Sequence, residues 1–190
     1  MRPLSPKLQL TLLIVGALLL LGLFPRWRER LQAQERSEMP LRAGLLLVAR
    51  PGRGDGNFDK TVVLLVEVTP KRTWGLVLNR LRTPGDEVLP AGVDRWGGPV
   101  RPERLTTLIR TQVEVADSRR VLEGLFWSEG SAPEGLPQDS SLTFAGLSAW
   151  GPGQLEHELA QGGWVLVEES AARIFSDPGA LWAECIAPHL

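Results

Sequence analysis

Three short apolar runs constrain the fold more than any other feature of this chain: Gly44-Leu45-Leu46-Leu47-Val48-Ala49, Val62-Val63-Leu64-Leu65-Val66-Glu67-Val68 and Trp74-Gly75-Leu76-Val77-Leu78-Asn79. Each has the length of a strand and lies beside turn residues, Arg50-Pro51-Gly52 after the first and Thr69-Pro70 after the second. They read as buried strands. Only a few polar residues separate the second run from the third, enough for a hairpin connection, so their order predicts an antiparallel meander.

Downstream, Trp96-Gly97-Gly98-Pro99-Val100 reads as a strand end that turns sharply, with two glycines free to take φ > 0 or to let backbones approach. Shorter strands are expected at 105–110 and 124–127, and an exposed loop at 128–141, where Ser, Pro, Gly and acids accumulate. A helix is expected after Trp150, with Gly151 as cap and Pro152 at its first position. Leu155 and Leu159 repeat at i, i+4 before Gly162-Gly163 stop it. A strand at 164–167 and short helices at 171–175 and 178–185 complete the pattern, the helices packing Phe175, Leu181 and Trp182. The class is α+β, mostly antiparallel strands with a few flanking helices.

At the N-terminus, residues 8–24 (LQLTLLIVGALLLLGLF) are almost wholly apolar, with Arg2 and Lys7 before them and Arg26, Arg28 and Arg30 after. As a helix the stretch is about 25 Å long at about 1.5 Å per residue, slightly under a hydrocarbon core of about 30 Å. Trp27 stands where an interfacial anchor belongs. No small-residue cleavage pattern follows the run, which favours an uncleaved transmembrane or signal-anchor helix over a secretory signal. The expected organisation is thus a membrane anchor at 1–25, a charged linker at 26–40 and one domain at 41–190, with the flanking charges leaning toward a cytoplasmic domain. Initiation at Met39 would instead give an ordinary cytoplasmic protein.

Charge narrows the function classes. Residues 1–42 carry seven Arg/Lys against three Glu, which leaves fourteen basic against nineteen acidic side chains for the remainder. An acidic domain lacks the basic excess with which proteins replace phosphate counterions, so DNA is a poor candidate partner. One cysteine, Cys185, and two histidines, His157 and His189, cannot form a zinc cluster, and no metal site or cofactor is expected.

The series GLLLVARPGRGDGNFDKTVVLLVEV (44–68), WGLVLNR (74–80), WGGPV (96–100), FAGLSAWGPGQLEHEL (144–159) and GGWVLV (162–167) resembles the YqgE/AlgH family over essentially the whole domain. The resemblance implies strands folded into a pseudo-barrel. It brings no enzymatic reaction, because the family is largely uncharacterised and is described in places as transcriptional regulators. This chain departs from the family where Asp55-Gly56-Asn57-Phe58 replaces the usual Asp-Pro before Phe, where Glu67-Val68 replaces Glu-His, and in a shortened stretch between Phe126 and Phe144. A membrane anchor is also unusual for it.

No residue set reads as catalytic. The 52–61 loop approaches the P-loop pattern, but Asp59 stands where a glycine must let backbone N–H groups surround phosphate, and the segment that follows is strand-like. Asp55, Thr61, Asn79 and Arg80 match polar positions of the family motifs, and hairpin pairing would gather their strand ends into a candidate ligand site. The alternative is that they satisfy backbone groups in turns. Gln154 and Glu158 share a helix face at i, i+4 and are candidates to line a cleft. The reading is a non-enzymatic binding or regulatory protein, tethered to the membrane through 8–24, with a protein or small molecule as its partner. An enzyme or nucleotide-dependent protein using the 52–61 loop, and a soluble transcriptional regulator, are the alternatives.

Overall fold

The computed structural model describes residues 39–52, 56–81, 83, 88–137 and 139–190. The expected anchor at 8–24, nearly all of the linker, and Asp55 lie outside them. Among the described residues no helix is long and apolar enough to cross a membrane.

The three apolar runs form β1 (Leu45–Ala49), β2 (Val62–Val68) and β3 (Thr73–Val77), paired antiparallel in sequence order as the spacing predicts. β4 (Arg95–Trp96) is only two residues long. It is followed by β5 (Val100–Arg110), β6 (Arg119–Leu122), β7 (Leu125–Glu129), β8 (Ser141–Trp150) and β9 (Trp164–Glu168). Hydrogen bonding orders the strands β6-β7-β5-β8-β3-β2-β1-β9, with β4 beside β8. The path has two free ends, so this mostly antiparallel sheet curls into a half-barrel instead of closing into a pseudo-barrel.

Its interior is apolar. Leu46, Leu64, Leu76, Leu108, Leu125 and Phe144, one from each of six strands, are fully buried in one cluster. Three α-helices lie among the described residues on the C-terminal side of the sequence: α1 (Gln154–Ala160), α2 (Ala171–Ile174) and α3 (Pro178–Ile186). From α2 and α3, Ile174, Leu181, Cys185 and Ile186 join the same core. Each contributes about 25 cal/mol per Å² of apolar surface removed from water. Ser170 caps α2 by accepting from Arg173 N, and Asp177 caps α3 by accepting from Gly179 N, with Pro178 in the first turn. Burial pushes the Cys185 thiol up, while Arg173 pulls against that shift.

β8 is the strand that joins the halves of the sheet. One edge pairs with β5 over Ser141 to Leu147. The other edge meets β4 in parallel at Phe144 and Ala145, then β3 antiparallel at Ser148, Ala149 and Trp150. The changeover falls at Gly146, whose φ is +73°. Here Gly97 donates to Ala145 O at 2.8 Å and its carbonyl accepts from Val77 N at 2.9 Å and Ser148 Oγ at 3.3 Å. The expected sharp turn at 96–100 is therefore a junction of three strands.

Several expectations change. Residues 105–110 are the second half of an eleven-residue strand. β6 and β8 were not anticipated, since β6 is short with two arginines among its four residues and β8 mixes Gly, Ser and Ala with its apolar residues. The helix after Trp150 begins at Gln154 with Gly153 as N-cap at φ 73°, so Pro152 precedes the helix and Gly151 is not its cap. At its other end the two glycines stop it as expected, Gly162 N bonding Leu159 O at 2.9 Å and Gly163 N bonding Glu158 O at 2.9 Å.

Candidate functional site

Two clusters contain the described candidate residues. In the first, the chain between β1 and β2 is fastened to the end of β3. Asn79 lies just past β3, where its Oδ1 accepts from Val62 N at 2.9 Å and its Nδ2 donates to Lys60 O at 2.8 Å. Arg80 Nη2 donates to Asp59 O at 2.7 Å, and Thr61 Oγ1 donates to Phe58 O at 2.9 Å. Every one of these bonds ends on backbone. Thr61, Asn79 and Arg80 are thus brought together as expected, but as the clamp on a turn in which Lys60 holds a left-handed φ of 51°. Asn79→Ala removes both bonds and is expected to cost about 2 kcal/mol, read as a lower urea midpoint at unchanged slope.

The turn matters because it presents Phe58. Phe58 lines a cavity of about 450 Å³ with Trp150, Gln154, Glu158, Gln161 and Trp164. Apolar wall is added by Ala49, Pro99, Val100 and Ala149. Gln154 and Glu158, the second pair of candidates, therefore face one cleft, and the first cluster shapes its rim.

Glu158 is the centre of this cleft. Its Oε2 accepts from Trp150 Nε1 at 3.0 Å and from Trp164 Nε1 at 2.8 Å, while its Oε1 accepts from Gln154 Nε2 at 3.0 Å. Gln154 is held in turn, its Oε1 accepting from Gly151 N at 3.1 Å. An indole N–H can only donate, so the paired tryptophans require an acceptor between them, which the carboxylate supplies. The rings meet edge to face: Trp150 and Trp164 have centroids 6.2 Å apart at 81°, Phe58 and Trp164 5.7 Å apart at 73°. Of the two tryptophans, Trp150 was noted from the sequence beside Gln154 and Glu158, whereas Trp164 was read only as a strand residue, although both flank α1 within eight residues of Glu158. His157, also on α1, bonds Gln161 at 2.8 Å.

Arg95 is a further polar residue that sequence reasoning missed. It is buried, and its guanidinium donates to Leu78 O at 2.6 Å and to Ile174 O and Ser176 O at 3.3 Å each. Burial lowers its pKa below the usual arginine value, with Asp94 and Asp177 acting in the opposite direction. The residue ties β4 to β3 and to the C-terminal end of α2, where carbonyls left over from the helix favour a cation. Among the described residues no group of three His, Cys, Asp or Glu side chains is arranged to hold a metal ion.

Comparison with known proteins gives a consistent family. A model of the AlgH-like family, DUF179, matches residues 46–189. A UPF0301 protein of Streptomyces avermitilis is 35% identical over 170 residues, covering 79% of this chain and 88% of its own. One from Myxococcus xanthus is 34% identical over 154 residues, covering 72% and 84%. Among solved structures, the AlgH protein of Pseudomonas aeruginosa superposes with a TM-score of 0.59 at 26% identity, covering 76% of this chain and 86% of that one. A crystal structure from Corynebacterium diphtheriae gives 0.65 at 22% identity, covering 78% and 87%, and so shares the fold. Sequence motifs, half-barrel and relatives agree, and this chain belongs to the AlgH-like family.

Proposed function

We propose that this chain is a non-enzymatic binding protein that takes a small ligand into the cleft around Glu158, on a domain tethered to the membrane through residues 8–24. The observation that carries this reading is the arrest of Glu158. Both of its oxygens are already engaged by neutral donors, Trp150, Trp164 and Gln154, inside a cavity of about 450 Å³. A carboxylate held on both oxygens by fixed neutral donors keeps its position and is suited to recognition. The cavity falls within the size range of ordinary small-molecule sites, and its mixture of apolar wall with a few placed polar groups is typical of them.

The nucleotide alternative draws less support. Thr61 spends its hydroxyl on Phe58 O, and the Lys60 ammonium sits 5.9 Å over the Trp182 ring. A phosphate site would need both. A regulator that binds DNA would need a basic face, which the acidic balance of the domain does not favour.

The test is a titration of the full chain in nonionic detergent, following the indole N–H resonances of Trp150 and Trp164. The panel is choline, its neutral carbon isostere, inorganic phosphate and adenosine triphosphate. Saturable movement of both resonances with at least one member is expected. If no member moves them, the binding cleft is discarded. The tether is checked separately by carbonate washing of membranes from cells that express the protein natively, with the N-terminal residue read by mass spectrometry. Recovery in the washed membrane with 8–24 intact is expected, and a soluble chain beginning at Met39 would overturn it.

A further inference from the structure

Resting on the binding reading above, we infer that the ligand of this cleft is an organic cation, an alkylated ammonium group seated in the cavity beside the Glu158 carboxylate and against Phe58 and the apolar wall. Three observations lead there. First, Glu158 receives its hydrogen bonds from neutral groups only. Among the described residues no arginine or lysine forms an ion pair with it, and its neighbour His157 is engaged with Gln161. The donors hold the carboxylate in place without adding a counter-charge. That leaves the cleft a site with a fixed anion and room beside it.

Second, part of the lining is aromatic: Phe58 is half-buried, while Trp150 and Trp164, at 4% and 8% exposure, reach the cavity with only a small part of their rings. A cation is attracted to the face of an aromatic ring by the ring quadrupole, most strongly for tryptophan, and the attraction grows when water is displaced. Trp150 and Trp164 turn their N–H edges to Glu158 Oε2, which brings carboxylate and rings to the same wall.

Third, the remaining wall is poor in ligands for a metal ion. Ala49, Pro99, Val100 and Ala149 supply no side-chain oxygen, and beyond Glu158 only Gln154 and Gln161 bring one to the lining, fewer than calcium or magnesium draws from a protein site of its own. Methyl or methylene groups around a nitrogen match such a wall. Phosphate and nucleotides carry the wrong sign of charge for Glu158.

Choline and its carbon isostere have nearly the same shape and differ in charge, so the pair isolates the proposed interaction. In the titration of the full chain, choline is expected to move the Trp150 and Trp164 indole resonances at least tenfold more tightly than the isostere, which corresponds to about 1.4 kcal/mol. Glu158→Gln is expected to abolish that preference, and Phe58→Leu to weaken choline more than the isostere. Should Glu158→Gln fail to fold, the wild-type comparison still decides. Equal binding of choline and isostere overturns the cation assignment, as does saturable binding of phosphate or adenosine triphosphate in the absence of choline binding. Either result leaves the cleft as a binding site, whereas silence from the whole panel removes the cleft itself.

Discussion

Gly97→Ala is expected to lower the unfolding free energy by about 3 kcal/mol or more, although it adds one methyl group. A Cβ at this position would lie 2.3 Å from Gly146 O and 2.9 Å from Leu76 Cδ2. The nearer atom is backbone, so no rotamer change relieves the clash. Relief requires β4 and β8 to move apart, yet Gly97 is bonded to both Ala145 and Val77 at 2.8 and 2.9 Å. Displacement at this point therefore breaks pairing on two strands at once. Gly146 is constrained from the other side, since its own Cβ would stand 2.3 Å from Gly98 O at a φ of +73°. The control is Gly56→Ala. That position has no heavy atom within 4 Å of the added Cβ and no positive φ, so its effect is expected to stay within about 0.5 kcal/mol. Urea denaturation followed by tryptophan fluorescence measures both. Equal stability of the two variants would mean that the strands do not cross as closely as described.

Arg95→Met is the second large effect, a loss of about 3 kcal/mol. Replacing a buried ion pair with apolar side chains is often neutral, because both partners leave together. Here the partners are the carbonyls of Leu78, Ile174 and Ser176, which no side-chain substitution can remove. Once the guanidinium is gone, they lose a charged donor in a place with little access to water. Arg95→Lys discriminates between charge and geometry: one ammonium cannot reach three carbonyls as a planar guanidinium does, so an intermediate loss is expected. The variant should also loosen α2, read as faster amide hydrogen exchange near Ile174 than in the β2 amides. A neutral Arg95→Met would show that these carbonyls rehydrate freely and that the arginine does not bind the helices to the sheet.

What was legible in the sequence follows from the range of the forces involved. β1, β2 and β3 are continuous apolar runs, and a run of strand length between turn residues has few alternatives to burial in a sheet. α3 was equally readable, because Asp177 and Pro178 mark its start locally. β8 was not. Its Gly146 and Ser148 weaken the strand pattern, and the reason for them is the backbone of Gly97 and Gly98, about fifty residues away in the chain.

The candidate site divides in the same way. Gln154 and Glu158 could be placed on one helix face by spacing alone, and the structure puts both in one cleft. Thr61, Asn79 and Arg80 were gathered correctly, but only the tertiary arrangement shows that their hydrogen bonds go to a turn. Arg95, beside Asp94, resembles an exposed residue until the carbonyls of Leu78, Ile174 and Ser176 are brought around it. By itself the sequence determined the family, the meander of β1 to β3 and the helix face bearing Glu158, because these depend on local patterns of apolarity and motif. The tertiary structure decided the half-barrel, the crossing at Gly97 and the convergence of Trp150 and Trp164 on one carboxylate, with Phe58 against Trp164. Those features depend on which distant backbones approach each other, and a pattern of neighbouring residues does not encode that distance.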